Sequence, residues 1–213
     1  GMTQKIAIIG AGALGGYVGG YMTRDGRDVT MIDPWKAHVA RMRGTGLELR
    51  GLTEPENFVV RCKALNTDEL PDPATTKFDI VFIATKSYDT DWAARTMQPY
   101  LAPDGFVVSL QNGINEPAIS DIVGAACTVG CIASMISVEL MSPGLIQRNV
   151  KLGGADHTVF RAGEQDGSAS PRIAAVAEML SSVDSAKVTG ELMVERWSKL
   201  AVNCMRNPLG AAT

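Results

Sequence analysis

The chain has 213 residues, 46% of them apolar and 20% charged, which is material for a sizeable core with the polarity of an ordinary globular protein. Its net charge of −3 gives no electrostatic reason to expect nucleic acid or an anionic membrane as a partner. Cys62, Cys127, Cys131 and Cys204 form no C-x-x-C pair and only two histidines accompany them, so structural zinc is not expected, and free thiols in a reducing cytoplasm are. No apolar run reaches the roughly 18 residues of a membrane span, and no signal peptide is expected ahead of the first strand.

That first strand is Ile6–Ala7–Ile8–Ile9, a run too short for a helix and rich in isoleucine, as in a buried parallel strand. It breaks into Gly10-Ala11-Gly12-Ala13-Leu14-Gly15, a G-x-G-x-x-G spacing that opens a helix. In such a unit Gly10 serves the tight turn, Gly12 lets a pyrophosphate approach the backbone, and Gly15 lets the helix pack close to the sheet. The helix N-terminus adds unpaired N–H groups and a positive dipole end. Val29–Ile32 is the second strand and ends at Asp33, 18 residues beyond Gly15, where a carboxylate can bond a ribose 2′-hydroxyl. These residues together predict a dinucleotide site.

The first helix is predicted over Ala13–Arg24 and closes at Gly26. Gly15, Gly16, Gly19 and Gly20 each cost about 1 kcal/mol in a helix interior, so they are read as close helix–strand contacts. A second helix is predicted over Trp35–Arg43, and a small β excursion with strands at Leu47–Leu49 and Phe58–Val60. Strong strands follow at Asp79–Ala84, running into Thr85-Lys86-Ser87, and at Phe106–Leu110, running into Gln111-Asn112-Gly113. Pro103–Asp104–Gly105 reads as a turn, and helices are expected near 90–98, 116–123 and 170–182. Cys127–Val138 reads as one long β run, with Leu145–Gln147 and Thr158–Ala162 as an antiparallel continuation of the sheet. The alternation gives an α/β fold, a Rossmann-type doubly wound and mostly parallel sheet whose ligands sit at the carboxyl ends of strands. Lys86 and Asn112 both lie at such ends.

From Glu191 a long helix is predicted, on which Glu191, Glu195, Lys199, Asn203 and Asn207 recur every four residues along one face. On spacing alone this is equally a solvated face with a Glu195–Lys199 ion pair and a functional face. Two asparagines, poor helix formers, and a kink expected from Pro208 argue for function. A lysine beside two amides can protonate a carbonyl oxygen while the amides orient the substrate's other oxygens.

The glycine motif, Thr85-Lys86-Ser87, Gln111-Asn112-Gly113, the stretch from Phe160 to Gly167 and above all Trp197-Ser-Lys199-Leu-Ala-Val-Asn203-Cys-Met-Arg-Asn207-Pro208-Leu209 carry a family resemblance. The sequence resembles ketopantoate reductase (2-dehydropantoate 2-reductase) and its relatives through nearly the whole chain. The resemblance implies reduction of a 2-oxo acid by a nicotinamide cofactor, with Lys199 as general acid, Asn112, Asn203 and Asn207 on the substrate, and Lys86 and Asn112 near the nicotinamide. A homodimer and a small-molecule 2-oxo acid are the partners it implies. The family commonly places a basic residue after the second strand, suited to the 2′-phosphate of NADP. Here Asp33–Pro34 stands there, which leans towards NAD, with Lys36 or Arg41 as the groups that could still receive a phosphate.

The resemblance also implies a following helical domain that supplies a serine and a glutamate to the substrate site. Residues 1–188 are thus expected to form the dinucleotide domain and 189–213 the first helix of a truncated helical one. The readings left open are a dinucleotide-binding module or sensor without turnover, and a related dehydrogenase acting on an opine-like or sugar-acid substrate.

Overall fold

The computed structural model describes residues 3–206, so Asn207, and the kink expected at Pro208, lie outside the described residues. In chain order the strands are β1 (Lys5–Ile9), β2 (Asp28–Asp33), β3 (Leu47–Arg50), β4 (Phe58–Val60), β5 (Lys63–Asn66), β6 (Phe78–Ile83), β7 (Leu101–Ser109), β8 (Thr128–Ala133), β9 (Val138–Ser142), β10 (Leu145–Arg148), β11 (Phe160–Glu164) and β12 (Ala186–Val188). The helices are α1 (Ala13–Arg24), α2 (Lys36–Arg43), α3 (Thr90–Met97), α4 (Glu116–Val123), α5 (Pro171–Leu180) and α6 (Leu192–Arg206). None is long and apolar enough to cross a membrane, among the described residues.

An eight-stranded sheet runs β12-β11-β8-β7-β6-β1-β2-β5. All its pairs are parallel except β11 with β8, the antiparallel extension of a Rossmann-type sheet. The isoleucine-rich first strand is buried on both faces, as parallel strands covered on both sides must be. Ile6 and Ile8 face the layer of α1 and α5, whereas Ala7 and Ile9 face the layer of α3 and α4.

A second sheet, β4-β3-β10-β9, corrects the expected topology. Leu145–Gln147 does not extend the main sheet. It runs parallel to β3, nearly a hundred residues earlier in the chain, and antiparallel to β9. The predicted run Cys127–Val138 is likewise two strands in two sheets, broken at Ser134–Ser137, where Met135 takes a positive φ of 56°. The turn expected at Pro103–Asp104–Gly105 lies within β7 as an irregularity, with Asp104 at φ 65° and a register shift against β6. Strands β5 and β12 were not expected.

The two sheets explain the glycines of α1, because that helix is sandwiched between them. A Cβ on Gly19 would strike Met31 of β2, one on Gly20 would sit 2.9 Å from Leu49 of β3, and one on Gly16 would sit 2.5 Å from Ile146 of β10. The helix–strand reading holds, but two of those three contacts belong to the second sheet. Close packing of this kind offsets the helix cost of glycine through the apolar surface it buries.

Candidate functional site

The carboxyl ends of β1, β2, β6 and β7 open on one cavity of about 890 Å³. Gly10, Gly12, Ala13 and Leu14 line one side of it, with Asp33 at the end of β2. Lys86 and Asn112 line the middle, and Lys199 and Asn203 of α6 close it from above with Met135–Val138. Ala11 and Gly15 lie buried behind the glycine loop rather than on the cavity wall. A second cleft of about 670 Å³, between Thr128 and Arg172, holds none of these residues.

Each glycine of the loop has a separate physical reason. Gly10 has a φ of 87°, and a Cβ there would lie 2.8 Å from the Thr85 amide nitrogen. A Cβ on Gly15 would run into the Gly10 carbonyl. Gly12 differs, since a Cβ there meets nothing within 4 Å. Its bare face opens on the cavity at the start of α1, whose first turn receives no side-chain cap. That concave space, lined by N–H groups at a dipole's positive end, fits a pyrophosphate.

Asp33 is 8% exposed, and its Oδ2 accepts the Trp35 N–H at 3.0 Å. Burial pushes its carboxyl up, while the backbone amides of Trp35 and Ala11 act in the opposite sense. Lys36 is exposed and ion-paired to Asp68 at 3.3 Å, and neither it nor Arg41 lines the cavity.

The two central loops are tied together by polar contacts. Gln111 Nε2 donates to the Thr85 carbonyl at 3.1 Å and to Thr90 Oγ1 at 2.8 Å. Asn115 Nδ2 donates to the Asn112 carbonyl at 2.9 Å, which also accepts from Ser87 Oγ at 3.1 Å. The Asn112–Gly113 turn forms, with Gly113 at φ 81°, and the Asn112 side chain is still left to meet another partner. That partner is Lys199, whose Nζ donates to Asn112 Oδ1 at 3.2 Å and to the Ala133 carbonyl. Two of three ammonium protons are thereby directed, leaving one for an oxygen in the cavity. Burial first, and then the Arg196 guanidinium, pull the Lys199 ammonium below the ordinary lysine value. Lys86 is exposed on the cavity wall, and Asn203, one turn beyond Lys199, is exposed at its rim.

The Glu195–Lys199 pair that spacing allowed is not among the ion pairs of the described residues. Glu195 faces Arg161 instead, at 3.7 Å. The apolar residues of α6 do not all turn inward either, since Leu192 is buried but Trp197 is 61% exposed. The helix is anchored by Arg196, which sequence reasoning passed over. Its guanidinium is buried and bonds Glu116 Oε2 at 2.8 Å, the Gln111 carbonyl at 2.6 Å, the Ser109 carbonyl at 2.9 Å and the Cys131 carbonyl at 3.2 Å. Those carbonyls end β7 and cross β8, so Arg196 fixes α6, and with it Lys199, over the sheet. Burial pushes the neighbouring Cys131 thiol up to about 12, which removes it as a nucleophile. Glu116→Gln keeps the acceptor but removes the counter-charge, with an expected loss of about 2 kcal/mol. A lowered urea midpoint at unchanged m-value is the measurement.

A family profile described as ketopantoate reductase PanE/ApbA matches residues 6–161. The 2-dehydropantoate 2-reductase of Pyrococcus horikoshii is 33% identical over 216 residues, covering 98% of this chain and 64% of the relative. That of Archaeoglobus fulgidus is 31% identical over 214 residues, covering 98% and 64%. A PanE/ApbA family ketopantoate reductase from Ralstonia eutropha superposes with a TM-score of 0.73 at 27% identity, over 94% of this chain and 61% of that one. A D-mandelate dehydrogenase, in a ternary structure with NADH and anilino(oxo)acetate, shares the fold with a TM-score of 0.77 at 22% identity, over 96% and 63%. The chain spans a little under two thirds of the length of the curated relatives it matches.

Proposed function

This chain belongs to the ketopantoate reductase family, and from that premise we propose that it serves the reduction of a ketopantoate-like 2-oxo acid to the 2-hydroxy acid, with a nicotinamide cofactor and Lys199 as general acid. The observation that carries the proposal is the meeting of Lys199 Nζ and Asn112 Oδ1, 87 residues apart in sequence, over the cavity that the glycine loop opens. The cofactor, when bound, supplies the hydride. The chain's own residues do the rest. Gly10, Ala11, Gly12, Ala13, Leu14 and Gly15 shape the phosphate cradle, Asp33 meets the ribose, and Lys86 stands on the wall between them and Lys199. Lys199 holds a proton for the ketone oxygen as negative charge develops there. Asn112 directs the ammonium, and Asn112 and Asn203 orient the substrate's oxygens, a part that Asn207 shares in the same reading.

On this reading residues 1–188 are the dinucleotide domain and 189–213 open a helical substrate and dimer domain. The exposed Val194, Trp197 and Met205 of α6 support it as an apolar face suited to further helices. The direct test is oxidation of NADH or NADPH by the protein on addition of ketopantoate, compared with other 2-oxo acids. Cofactor binding without ketoacid-dependent oxidation would select a binding module instead.

Asp33 supports NAD over NADP, because a 2′-phosphate would bring charge against a buried carboxylate. Asp33→Ala is expected to narrow the difference between the two affinities by about tenfold, through loss of the bond to the free ribose hydroxyl and of the repulsion. Calorimetric titration with both cofactors measures it, and tighter NADP than NAD binding by the parent protein would end the idea.

A further inference from the structure

We propose that His38 is a positioning residue that holds the glycine loop in its dinucleotide-receiving shape by clamping it to the β9–β10 hairpin, an inference that rests on the dinucleotide reading above. His38 lies on α2 and is wholly buried, in contact with neither the cavity nor solvent. Both ring nitrogens are used, and both partners are backbone groups from distant parts of the chain. Nε2 lies 2.7 Å from the Ala11 carbonyl, and Nδ1 lies 2.9 Å from the Gly144 amide nitrogen. An amide N–H can only donate and a carbonyl can only accept. Nδ1 is therefore bare and Nε2 carries the hydrogen, which is the neutral Nε2–H tautomer.

The two partners make this more than a satisfied core histidine. Ala11 is the middle residue of Gly10-Ala11-Gly12, so its carbonyl sets the Ala11–Gly12 peptide plane, and with it the direction of the Gly12 N–H at the glycine whose bare face opens on the cavity. Gly144 is the turn of the β9–β10 hairpin, at φ 74°, and a Cβ there would lie 2.7 Å from Arg41 Cβ of α2. The hairpin reaches the site by two further routes. Ile146 packs on Gly16, one turn into α1, and Ile136 to Val138, which lead into β9, line the same cavity as the glycine loop. The loop, the start of α1 and this part of the cavity wall thus share one clamp, with His38 as its polar pin. A hydrogen bond between two buried groups fixes direction as well as distance, which packing alone does not.

The test is titration with NADH and with NADPH, beside chemical denaturation, of the parent protein, His38→Ala, His38→Gln and Met42→Ala. Met42 is wholly buried one turn further along α2, and its thioether cannot take the place of the imidazole's two hydrogen bonds, so it controls for lost packing. His38→Ala is expected to weaken cofactor binding about tenfold, the scale of one buried hydrogen bond left unmade. His38→Gln, neutral with a donor and an acceptor, is expected to recover most of that affinity. Met42→Ala is expected to lower the denaturation midpoint and leave affinity unchanged. Affinity of His38→Ala equal to the parent's, or lowered no more than in Met42→Ala, overturns the clamp. If His38→Ala does not fold, exchange of the Gly144 amide in the parent decides the matter. Cofactor should slow it, and an unchanged rate with bound cofactor overturns the proposal. A parent that binds neither cofactor refutes the dinucleotide reading itself, and the clamp with it.

Discussion

Lys199→Ala is expected to lower turnover by about 100-fold or more, the scale of a lost general acid, while cofactor affinity barely changes. The glycine loop proposed to hold the phosphates follows β1, which β6 and β7 separate from β8, where Lys199 meets the Ala133 carbonyl, so on that reading binding of the phosphates does not pass through Lys199. The competing role, an ion pair with Glu195, would give a loss of about 0.2–0.5 kcal/mol of stability and no change in rate. Glu195 faces Arg161, and Lys199 Nζ meets Asn112 and the Ala133 carbonyl, so the geometry favours the first outcome. Single-turnover hydride transfer measured beside a denaturation midpoint separates the two.

The same residue sets a pH dependence. A general acid works protonated, so the rate is full below the Lys199 pKa and lost as pH rises through it. Burial and Arg196 lower that pKa, which places the alkaline limb below the 10.5 of an ordinary lysine. Stability runs the other way in that window. Between the lowered folded value and 10.5 the unfolded chain holds more proton, so stability rises with pH there. An alkaline limb at or above 10.5 would remove Lys199 as the acid.

The parts of the fold legible in the sequence are those whose cause is local. The isoleucine run, the glycine spacing and the following apolar helix fall within twenty residues, and α1 appears at its expected bounds, Ala13–Arg24. The second sheet was not legible because its reason is a partner. Ile146 belongs with β3 since the glycines of α1 leave room for it there, and periodicity says nothing about which strand lies alongside which. The site divides in the same way. Lys199 stood out by its spacing, but Asn112 becomes its partner only when α6 lies over the sheet. What holds α6 there is Arg196, a charged residue that composition assigns to the surface. Its buried partner Glu116 is 80 positions away, and no sequence spacing links them. His38 is hidden for the same reason, 27 and 106 positions from the groups it joins.

Gly12→Val is expected to reduce dinucleotide binding by more than about 100-fold, or about 2.7 kcal/mol, with little effect on stability. The structure gives this prediction its contrast. A Cβ on Gly12 meets nothing within 4 Å, so the free protein has room for it, and the space it enters is the one assigned to the pyrophosphate. Gly15 stands three residues away with the opposite environment, where a Cβ would strike the Gly10 carbonyl and lie 2.9 Å from Ala84 Cβ. Gly15→Ala must therefore push α1 off the sheet and lower the denaturation midpoint before any ligand is present. On the proposed reading one glycine is required by a ligand and the other by the fold. Calorimetry with NADH and NADPH, set beside urea midpoints for both variants, reads the two effects separately. Parent-like affinity in a folded Gly12→Val protein would move the phosphates away from this loop. Lost affinity together with an unfolded chain would show that Gly12, like Gly15, is held by packing.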